Sequence, residues 1–151
     1  MERPSKKLVL TLTAVTDIAY HGGAEPVQSQ DIARRLNLPR RYLEQVMQQL
    51  VRAGILRGVR GPRGGYRLAR ERRRVSVGDV VRVVRGIEDM AQQDELGPAS
   101  ELGAKVIGPF WATTEEELMA RLDRVTVEDL CRRAEGQGVP SEVEREVDFA
   151  I

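Results

Sequence analysis

The sequence predicts a mainly α-helical protein with one small β-hairpin. A glycine-rich basic run follows a helix-forming segment and leads into the apolar residues 66–68; it reads Arg60-Gly61-Pro62-Arg63-Gly64-Gly65-Tyr66. Glycines allow the tight turn of a hairpin at this place. Upstream, residues 29–46 have the pattern of two short helices joined by a tight turn. This order of elements predicts a winged helix-turn-helix, followed by a long dimerisation helix.

Charge is divided between the two parts of the 151-residue chain. The total is balanced, with 24 Lys and Arg against 23 Asp and Glu. Residues 1–86 carry 18 basic and 7 acidic residues, a net charge of +11, whereas residues 87–151 carry 6 and 16, a net charge of −10. The first part is therefore suited to a polyanion and the second is not.

Length and cysteine content limit the possible classes of protein. The chain can bury one good core, or one small domain with an association element. Its single cysteine, Cys131, excludes an intrachain disulfide and any site that needs several thiolates from one chain, so we expect a reducing, cytoplasmic setting. No segment is long enough to span a membrane. Lys6 and Lys7 precede an apolar run, but Asp17 interrupts it and no cleavage site follows, which argues against a signal peptide.

Helical periodicity defines the first three helices. The first carries Leu8, Leu12, Val15 and Ala19 at helical spacing and stops at Gly22 and Gly23. The second is expected to have Ser29 as its N-cap, Asp31 in its first turn, and Ile32, Ala33 and Leu36 facing inward. Pro39 opens the third, whose buried stripe is Leu43, Val46, Met47, Leu50 and Val51, with Arg40, Arg41, Glu44, Gln45 and Gln48 largely outside it.

Glycine and helix-capping residues mark the boundaries of the remaining elements. Gly54 ends the third helix, and residues 55–59 form the first strand of the hairpin. Residues 70–74 form a charged linker, most simply a solvated turn, that could also contact phosphate. Ser76 and Asp79 form a capping box for a fourth helix, which carries Val77, Val80, Val81, Val83 and Val84. Residues 88–103 are acidic and show no helical stripe, which predicts a mobile loop.

The last third predicts an association helix that begins near residues 107–109. One side of it carries Phe110, Trp111, Leu118, Met119, Leu122 and Val125, and we expect this side to pack on a partner subunit. Thr126 and Asp129 then cap a final helix with Leu130 inside, and the acidic tail from Gly136 onward is expected to be partly disordered. The predicted units are residues 1–86, the winged domain with its following helix; 87–104, an acidic sensor-type loop; 105–135, the dimerisation and closing helices; and 136–151, the tail.

Three short motifs resemble those of a known family. They are Tyr42-Leu43-Glu44-Gln45 in the third helix, residues 60–68 in the hairpin, and Thr126-Val127-Glu128-Asp129-Leu130 near the end. Together they resemble the IscR/NsrR/CymR-type regulators, the Rrf-two family of bacterial winged-helix transcription factors, over residues 6–130. The resemblance implies a sequence-specific DNA-binding regulator, most simply a repressor. It also implies a homodimer that places its recognition helices in successive major grooves and its wings in flanking minor grooves of an imperfect palindrome.

The resemblance also implies which residues contact DNA. Glu44 is the most informative of them, because a carboxylate beside phosphates is costly unless it accepts a hydrogen bond from a cytosine amino group. The expected set comprises Lys6, Lys7, Ser29, Arg40, Arg41, Tyr42, Glu44, Gln45, Arg60, Gly61, Pro62, Arg63, Gly64, Gly65 and Tyr66.

Two departures from the family pattern bear on function. Members that sense through an iron-sulphur cluster supply three cysteines from the loop after the fourth helix, and residues 86–105 contain none. A cluster held by those cysteines is therefore excluded, and no cofactor or metal is expected. Arg63 stands where the family wing commonly has glycine, which predicts a wing that reaches deeper into a narrow minor groove or holds phosphate more firmly.

Several of these residues also have a purely structural interpretation. Glu44 could pair with Arg40 or Arg41 on a solvated helix face. His21 is better explained as a helix-end residue than as a metal ligand, and Cys131 as a small core residue than as a redox thiol. Phe110 and Trp111 fit an interface core better than a ligand cage.

No catalytic constellation is present, so the sequence predicts that the protein is not an enzyme. The leading hypothesis is a regulator whose state is set by a small molecule, a partner protein or a thiol event. One alternative is a winged-helix module that docks a protein instead of DNA. Another is a metal or cluster held by unusual ligands, namely His21 with residues of the set Glu88, Asp89, Asp94 and Glu95.

Overall fold

The computed structural model describes residues 3–91 and 100–143, with the side chains of residues 88–91 excepted. Six helices and one hairpin follow in order along this part of the chain. The helices are α1 (Lys6–His21), α2 (Ser29–Leu36), α3 (Arg40–Arg52), α4 (Val77–Ala91), α5 (Gly108–Asp123) and α6 (Val127–Gly136), and the strands are β1 (Leu56–Val59) and β2 (Gly65–Leu68). A 3-10 turn covers Arg72–Arg74 and a π-helical turn covers Gly103–Ile107. None of the described helices is long and apolar enough to cross a membrane.

Helix α1 runs through the centre of the fold. It starts at Ser5, whose hydroxyl accepts a hydrogen bond from the Leu8 amide at 3.2 Å. Ala14, Val15 and Ile18 are fully buried, and helices α2, α4 and α6 all pack against α1. The predicted stripe is therefore turned slightly about the helix axis: of its members only Val15 lies at the centre, while Leu8, Leu12 and Ala19 lie at the margin.

A tight turn between α2 and α3 sets the angle of the helix-turn-helix. Asn37 adopts a left-handed conformation with φ 53°, and the Leu38 amide donates to the Ala33 carbonyl at 3.0 Å, which closes α2. Arg35 binds Asp17 of α1 with an N–O distance of 2.9 Å and so holds α2 on the core. Burial lowers the pKa of Arg35, but hydrogen bonding to Asp17 and the charge of Asp17 outweigh it, and the pKa is raised.

Two expectations for these helices are wrong. The N-cap of α2 is Gln28, with no side-chain cap, and Ser29 is the first helical residue. In α3 the residues Leu43, Val46, Met47 and Leu50 are buried as predicted, whereas Val51 is 37% exposed, because it lies one step past the edge of the buried stripe. Gly54 ends α3 with φ 76°, as expected for a helix-terminating glycine.

The hairpin is anchored by a third extended segment. Strands β1 and β2 pair antiparallel with Leu56 opposite Leu68 and Val59 opposite Gly65. On the other edge of β2, Val27 and Tyr66 exchange two backbone hydrogen bonds of 3.0 and 2.8 Å. The pairing allows no side chain at Gly65, since a Cβ there would lie 2.2 Å from the Val27 carbonyl oxygen. The wing is thereby fixed to the segment that enters α2.

The starts of α4 and α6 lie side by side. Ser76 and Asp79 form one capping box and Thr126 and Asp129 another, both as predicted. Backbone hydrogen bonds of 2.8 Å, from Val77 to the Val125 carbonyl and from Val127 to the Val75 carbonyl, join the two starts. Backbone hydrogen bonding to Thr126 lowers the pKa of Asp129. This pairing brings α6 into the common core, to which it contributes Val127 and Cys131.

The described residues of the second half contain more helix than their composition indicates. Helix α4 continues to Ala91 and residues 101–103 are helical, so the mobile loop predicted for residues 88–103 is wrong at both of its described ends; residues 92–99 lie outside the described residues. Residues 137–143 pack on the end of α1, where Tyr20 donates to the Val139 carbonyl at 2.5 Å and Ser141 donates to the Tyr20 carbonyl at 2.9 Å. The disorder expected from Gly136 is therefore wrong for this segment, and residues 144–151 are not described. Leu130 is half-buried, because Val127 and Cys131 occupy the inward positions of α6.

Candidate nucleic-acid interface

An open cleft of about 610 Å³ separates the wing from the helix-turn-helix. Its walls are the first residues of α2, the first residue of α3, and the inner side and tip of the hairpin. The cleft brings together eight of the predicted DNA-contacting residues, which are Ser29, Arg40, Arg60, Gly61, Pro62, Gly64, Gly65 and Tyr66. Residues far apart in sequence thus form one concave surface with arginines on both sides.

The N-terminal half of α3 presents a polar surface next to this cleft. Arg41, Tyr42, Glu44 and Gln45 are exposed, because the opposite side of the helix supplies the buried stripe. Glu44 pairs with Arg40 at 3.2 Å, and both side chains are exposed. Such a pair contributes little to stability in water, so both groups are available to another ligand.

The wing tip is a compact glycine turn. Gly61 has φ 113°, and the Gly64 amide donates to the Gly61 carbonyl at 2.9 Å. A Cβ at Gly64 would lie 2.4 Å from the Val59 carbonyl oxygen, so the turn depends on glycine at that position. Arg60 lines the cleft, whereas Arg63 does not line it, is 83% exposed and lies 3.3 Å from Glu25.

The start of α2 adds backbone donors to the cleft. Gln28 caps the helix without a side-chain hydrogen bond, and the Ser29 hydroxyl makes none within the described residues. Uncapped amides at a helix N-terminus attract anions, because they carry the positive end of the helix dipole. The side chain of Gln30 reaches back to that of Gln28 at 3.0 Å.

Lys6 and Lys7 do not line the cleft. They form the first turn of α1, where Lys6 is exposed and Lys7 is half-buried. Within the described residues, no side-chain hydrogen bond or ion pair joins them to the wing or to α3.

Helix α5 presents an apolar side that the described part of this chain leaves uncovered. None of its residues is buried, and Phe110 and Trp111 are 61% and 58% exposed. Their rings meet edge to face with centroids 5.9 Å apart. Leu118 is 44% exposed, whereas Met119 and Leu122 are half-buried, and α5 packs against α4. Single exposed apolar residues are ordinary, but a contiguous patch of this kind is typical of an interaction surface.

The surroundings of Cys131 and His21 favour a structural role for each residue. Cys131 is 1% exposed, and burial raises the pKa of its thiol. His21 accepts a hydrogen bond from the Glu142 amide at 3.1 Å and lies 3.6 Å from Asp17. Among the described residues no group of three His, Cys, Asp or Glu side chains could hold a metal ion. The alternative ligands proposed from residues 88–95 lie outside the described side chains.

Some residues of the cleft escaped the sequence analysis. Gln28, Gln30, Gly58 and Val59 also line it. The pattern of the hairpin could have pointed to Gly58 and Val59, because they face Tyr66 and Gly65 across the turn. Gln28 and Gln30 reach the cleft because Val27 pairs with Tyr66, and the sequence contains no local signal for that pairing.

The fold and the cleft define a winged helix-turn-helix protein. Residues 4–133 match the family model of Rrf2, described as an iron-dependent transcriptional regulator. The chain therefore belongs to the Rrf2 family of DNA-binding transcription regulators, whose members are not enzymes.

Relatives of known identity agree with this assignment. The protein Rrf2 of Nitratidesulfovibrio vulgaris is 33% identical over 78% of this chain and 79% of its own length. The transcriptional regulator CymR of Bacillus subtilis is 31% identical over 83% of this chain and 87% of its own. Among solved structures, IscR of T. potens superimposes with a TM-score of 0.72 and 32% identity, covering 93% of each chain.

Proposed function

We propose that this chain is a homodimeric, sequence-specific regulator that represses transcription by occupying an imperfect palindrome. The observation that supports the DNA-contacting part is the single cleft in which the starts of α2 and α3 meet the wing, with Arg40 and Arg60 on its two sides. In this proposal α3 enters the major groove and its exposed Arg41, Tyr42, Glu44 and Gln45 read base edges. Repression requires only that the bound dimer occludes the DNA.

The wing supplies the second DNA contact. Arg60 and Arg63 extend from a tip that has little side-chain bulk, so the tip can enter a minor groove and the arginines can reach phosphates or the groove floor. The backbone amides at the start of α2, with Ser29, hold a phosphate between the wing and α3. Lys6 and Lys7 contribute a more distant electrostatic attraction to the DNA backbone.

Two copies of the chain, related by a two-fold axis at α5, would form a dimer with two such DNA-contacting surfaces. The apolar side formed by Phe110, Trp111 and Leu118, with Met119 and Leu122 at its edge, is the interface in this proposal. Its burial against a second copy would stabilise the dimer by about 25 cal/mol per Å² of apolar surface removed from water. Two recognition helices related by this axis would read two half-sites, which explains the expected palindrome.

Regulation in this chain does not use the family's three-cysteine cluster. The sequence offers one cysteine, and that thiol is buried in α6 with a raised pKa. These properties favour a small molecule or a partner protein as the signal over a thiol event. We expect Cys131 in the native protein at pH 8 to react with iodoacetamide much more slowly than in the urea-unfolded protein. Equal rates would restore the thiol hypothesis.

Selection from a pool of random duplexes tests the proposed function. The full chain should enrich a two-fold symmetric site at near-physiological salt. Replacing Glu44 should relax the preference at one base pair of each half-site, and replacing Arg63 should weaken binding without changing the preferred sequence. No enrichment by the folded protein would contradict the proposal and favour the alternative of a protein-docking module.

A further inference from the structure

A second arginine-lined hollow lies at the base of the wing. It has a volume of about 270 Å³ and lies between the hairpin, the end of α1 and the turn at Arg72–Arg74. Its charged lining consists of Arg57, Arg67, Arg70, Arg72, Glu25 and Glu71. Four cations against two carboxylates give the hollow a net charge of +2.

The two carboxylates of the hollow already have partners. Glu25 meets Arg63 of the wing tip at 3.3 Å, and Glu71 meets Arg73 at 2.6 Å. Neither carboxylate pairs with Arg57 or Arg67 in the described part of the chain. The positive charge of these two arginines is therefore not neutralised locally.

Arg57 and Arg67 stand directly opposite each other on β1 and β2. Like charges at directly opposed positions of an antiparallel pair destabilise the hairpin. The Arg67 side chain donates to the Ala24 carbonyl, an uncharged acceptor, and the Arg57 side chain makes neither an ion pair nor a hydrogen bond within residues 3–91 and 100–143. An anion bound between the two guanidinium groups would remove this repulsion and supply acceptors to both.

The geometry of a minor groove indicates where such an anion comes from. The groove is about 6 Å wide and is bordered by two phosphate chains, so a wing tip inside it has one chain on each side. Arg57 lies three residues before Arg60, which is about 10 Å along an extended strand. This distance is comparable with the depth of the minor groove, about 7.5 Å, so Arg57 can lie at the level of the phosphates when Arg60 lies inside the groove. Successive side chains of a strand point to opposite faces, so Arg57 and Arg67 project from the face of the hairpin opposite to that of Tyr66, which lines the cleft. We call this face the outer side of the wing.

We propose that Arg57 and Arg67 form a phosphodiester-binding site for the DNA chain on the outer side of the wing. The inference rests on the proposed function, because it requires the wing to lie in a minor groove. The wing then straddles both phosphate chains, with Arg40 and Arg60 facing the inner chain and Arg57 and Arg67 the outer one. The outer contact is to phosphate alone, so it raises affinity for every sequence equally.

The salt dependence of binding measures this contact. The probe is the duplex that the wild-type full chain selects, and the variants are Arg57→Gln, Arg67→Gln and the double variant. Each phosphate contact contributes about 0.9 to the slope of log K against log salt. Because the proposed dimer has two wings and each holds one phosphate, the double variant should have a slope smaller in magnitude by about 2. Arg52→Gln, at the far end of α3, removes one charge, as each single variant does, but outside both surfaces, and it should leave the slope unchanged.

Two further arms separate a phosphate contact from a change in net charge or folding. The double variant with Arg57→Lys and Arg67→Lys keeps both charges and should have the wild-type slope. If loss of the Ala24 contact misfolded the wing, the two lysines would not restore that slope. In the second arm, short blocks of neutral methylphosphonate linkages are placed on one DNA chain at a time. Blocks on the outer chain beside the wing should abolish the difference between the wild type and the double variant.

Three results would overturn the inference. One is a double variant whose slope equals that of Arg52→Gln. Another is a reduced slope that is insensitive to methylphosphonates on the outer chain, which would indicate a general charge effect or a free phosphate ligand. A wild-type protein that binds no duplex would overturn the proposed function and this inference with it, whereas binding by the wild type with unchanged variants overturns the inference alone.

Discussion

Helices α3 and α5 each expose one side to solvent, but the two sides differ in kind. Helix α3 buries Leu43, Val46, Met47 and Leu50 within the chain and exposes charged and polar residues. Helix α5 buries no residue and exposes Phe110, Trp111 and Leu118. A charged surface is well solvated and is stable in water while no ligand is bound, whereas a contiguous apolar surface is most stable when it stays covered. This difference supports the proposal that α3 serves a reversible DNA contact and α5 a lasting subunit contact.

The largest effect is expected from a substitution that breaks the proposed subunit contact. Trp111→Glu would place a carboxylate in the proposed interface of each subunit, and we expect sedimentation to show a monomer. Loss of bivalent binding should reduce affinity for the two-fold site by about 100-fold or more. Thr113→Glu is the matched control, because it lies about 200° round the same helix from Trp111. A Trp111→Glu protein that stays dimeric would remove α5 from the interface.

A smaller but still large effect should follow from detaching the wing. In Gly65→Ala the new Cβ collides with the Val27 carbonyl, and the broken backbone pairing should cost about 1 to 3 kcal/mol of stability. DNA affinity should fall while the dimer persists, which separates the α3 surface from the α5 surface. Gly58→Ala meets no atom within 4 Å and serves as the control in thermal unfolding. Equal stability of both variants would contradict the anchoring role of Val27.

The pair of Arg40 and Glu44 gives a test of how α3 reads sequence. Glu44→Ala should reduce discrimination at one base pair of each half-site by about 1 to 3 kcal/mol. Arg40→Ala should instead lower affinity for all duplexes, because Arg40 lines the cleft where we place a phosphate. Competition binding with single-base variants of the selected site measures both. Uniform loss of affinity in Glu44→Ala would reduce Glu44 to a surface ion-pair partner.

The smallest expected effect concerns the cap of α6, away from both surfaces. Thr126→Ala should destabilise the fold by about 1 kcal/mol in urea unfolding and leave DNA binding unchanged. Because the folded protein lowers the pKa of Asp129, its stabilising contribution is present above the ordinary carboxyl pKa and is lost as the pH falls through the lowered value. The stability difference between wild type and Asp129→Asn should therefore shrink in acid. A difference that grows as the pH falls would contradict this sign.

Local signals in the sequence predicted the elements that depend on neighbouring residues. The capping boxes at Ser76 and Thr126, the end of α3 at Gly54 and the glycine turn of the wing all rely on contacts within a few positions. The fold class followed from these elements because their order along the chain is that of a winged helix-turn-helix.

Contacts between distant residues were not predictable in the same way. The pairing of Val27 with Tyr66, which completes the cleft, joins segments 39 positions apart through backbone atoms alone. The docking of Ser141 on Tyr20 joins residues 121 positions apart, and acidic composition gave the opposite expectation for that segment. Gln28 became the cap of α2 because the same pairing fixes the backbone before Ser29.

Amide hydrogen exchange of the full chain, with and without the selected duplex, tests the separation of the two surfaces most directly. Peptides of α5 should exchange slowly before DNA is added and should not change afterwards. Peptides from the start of α2, the first half of α3 and the wing should exchange faster and become protected by the duplex. Protection of α5 by DNA, with no change in the wing, would contradict the account.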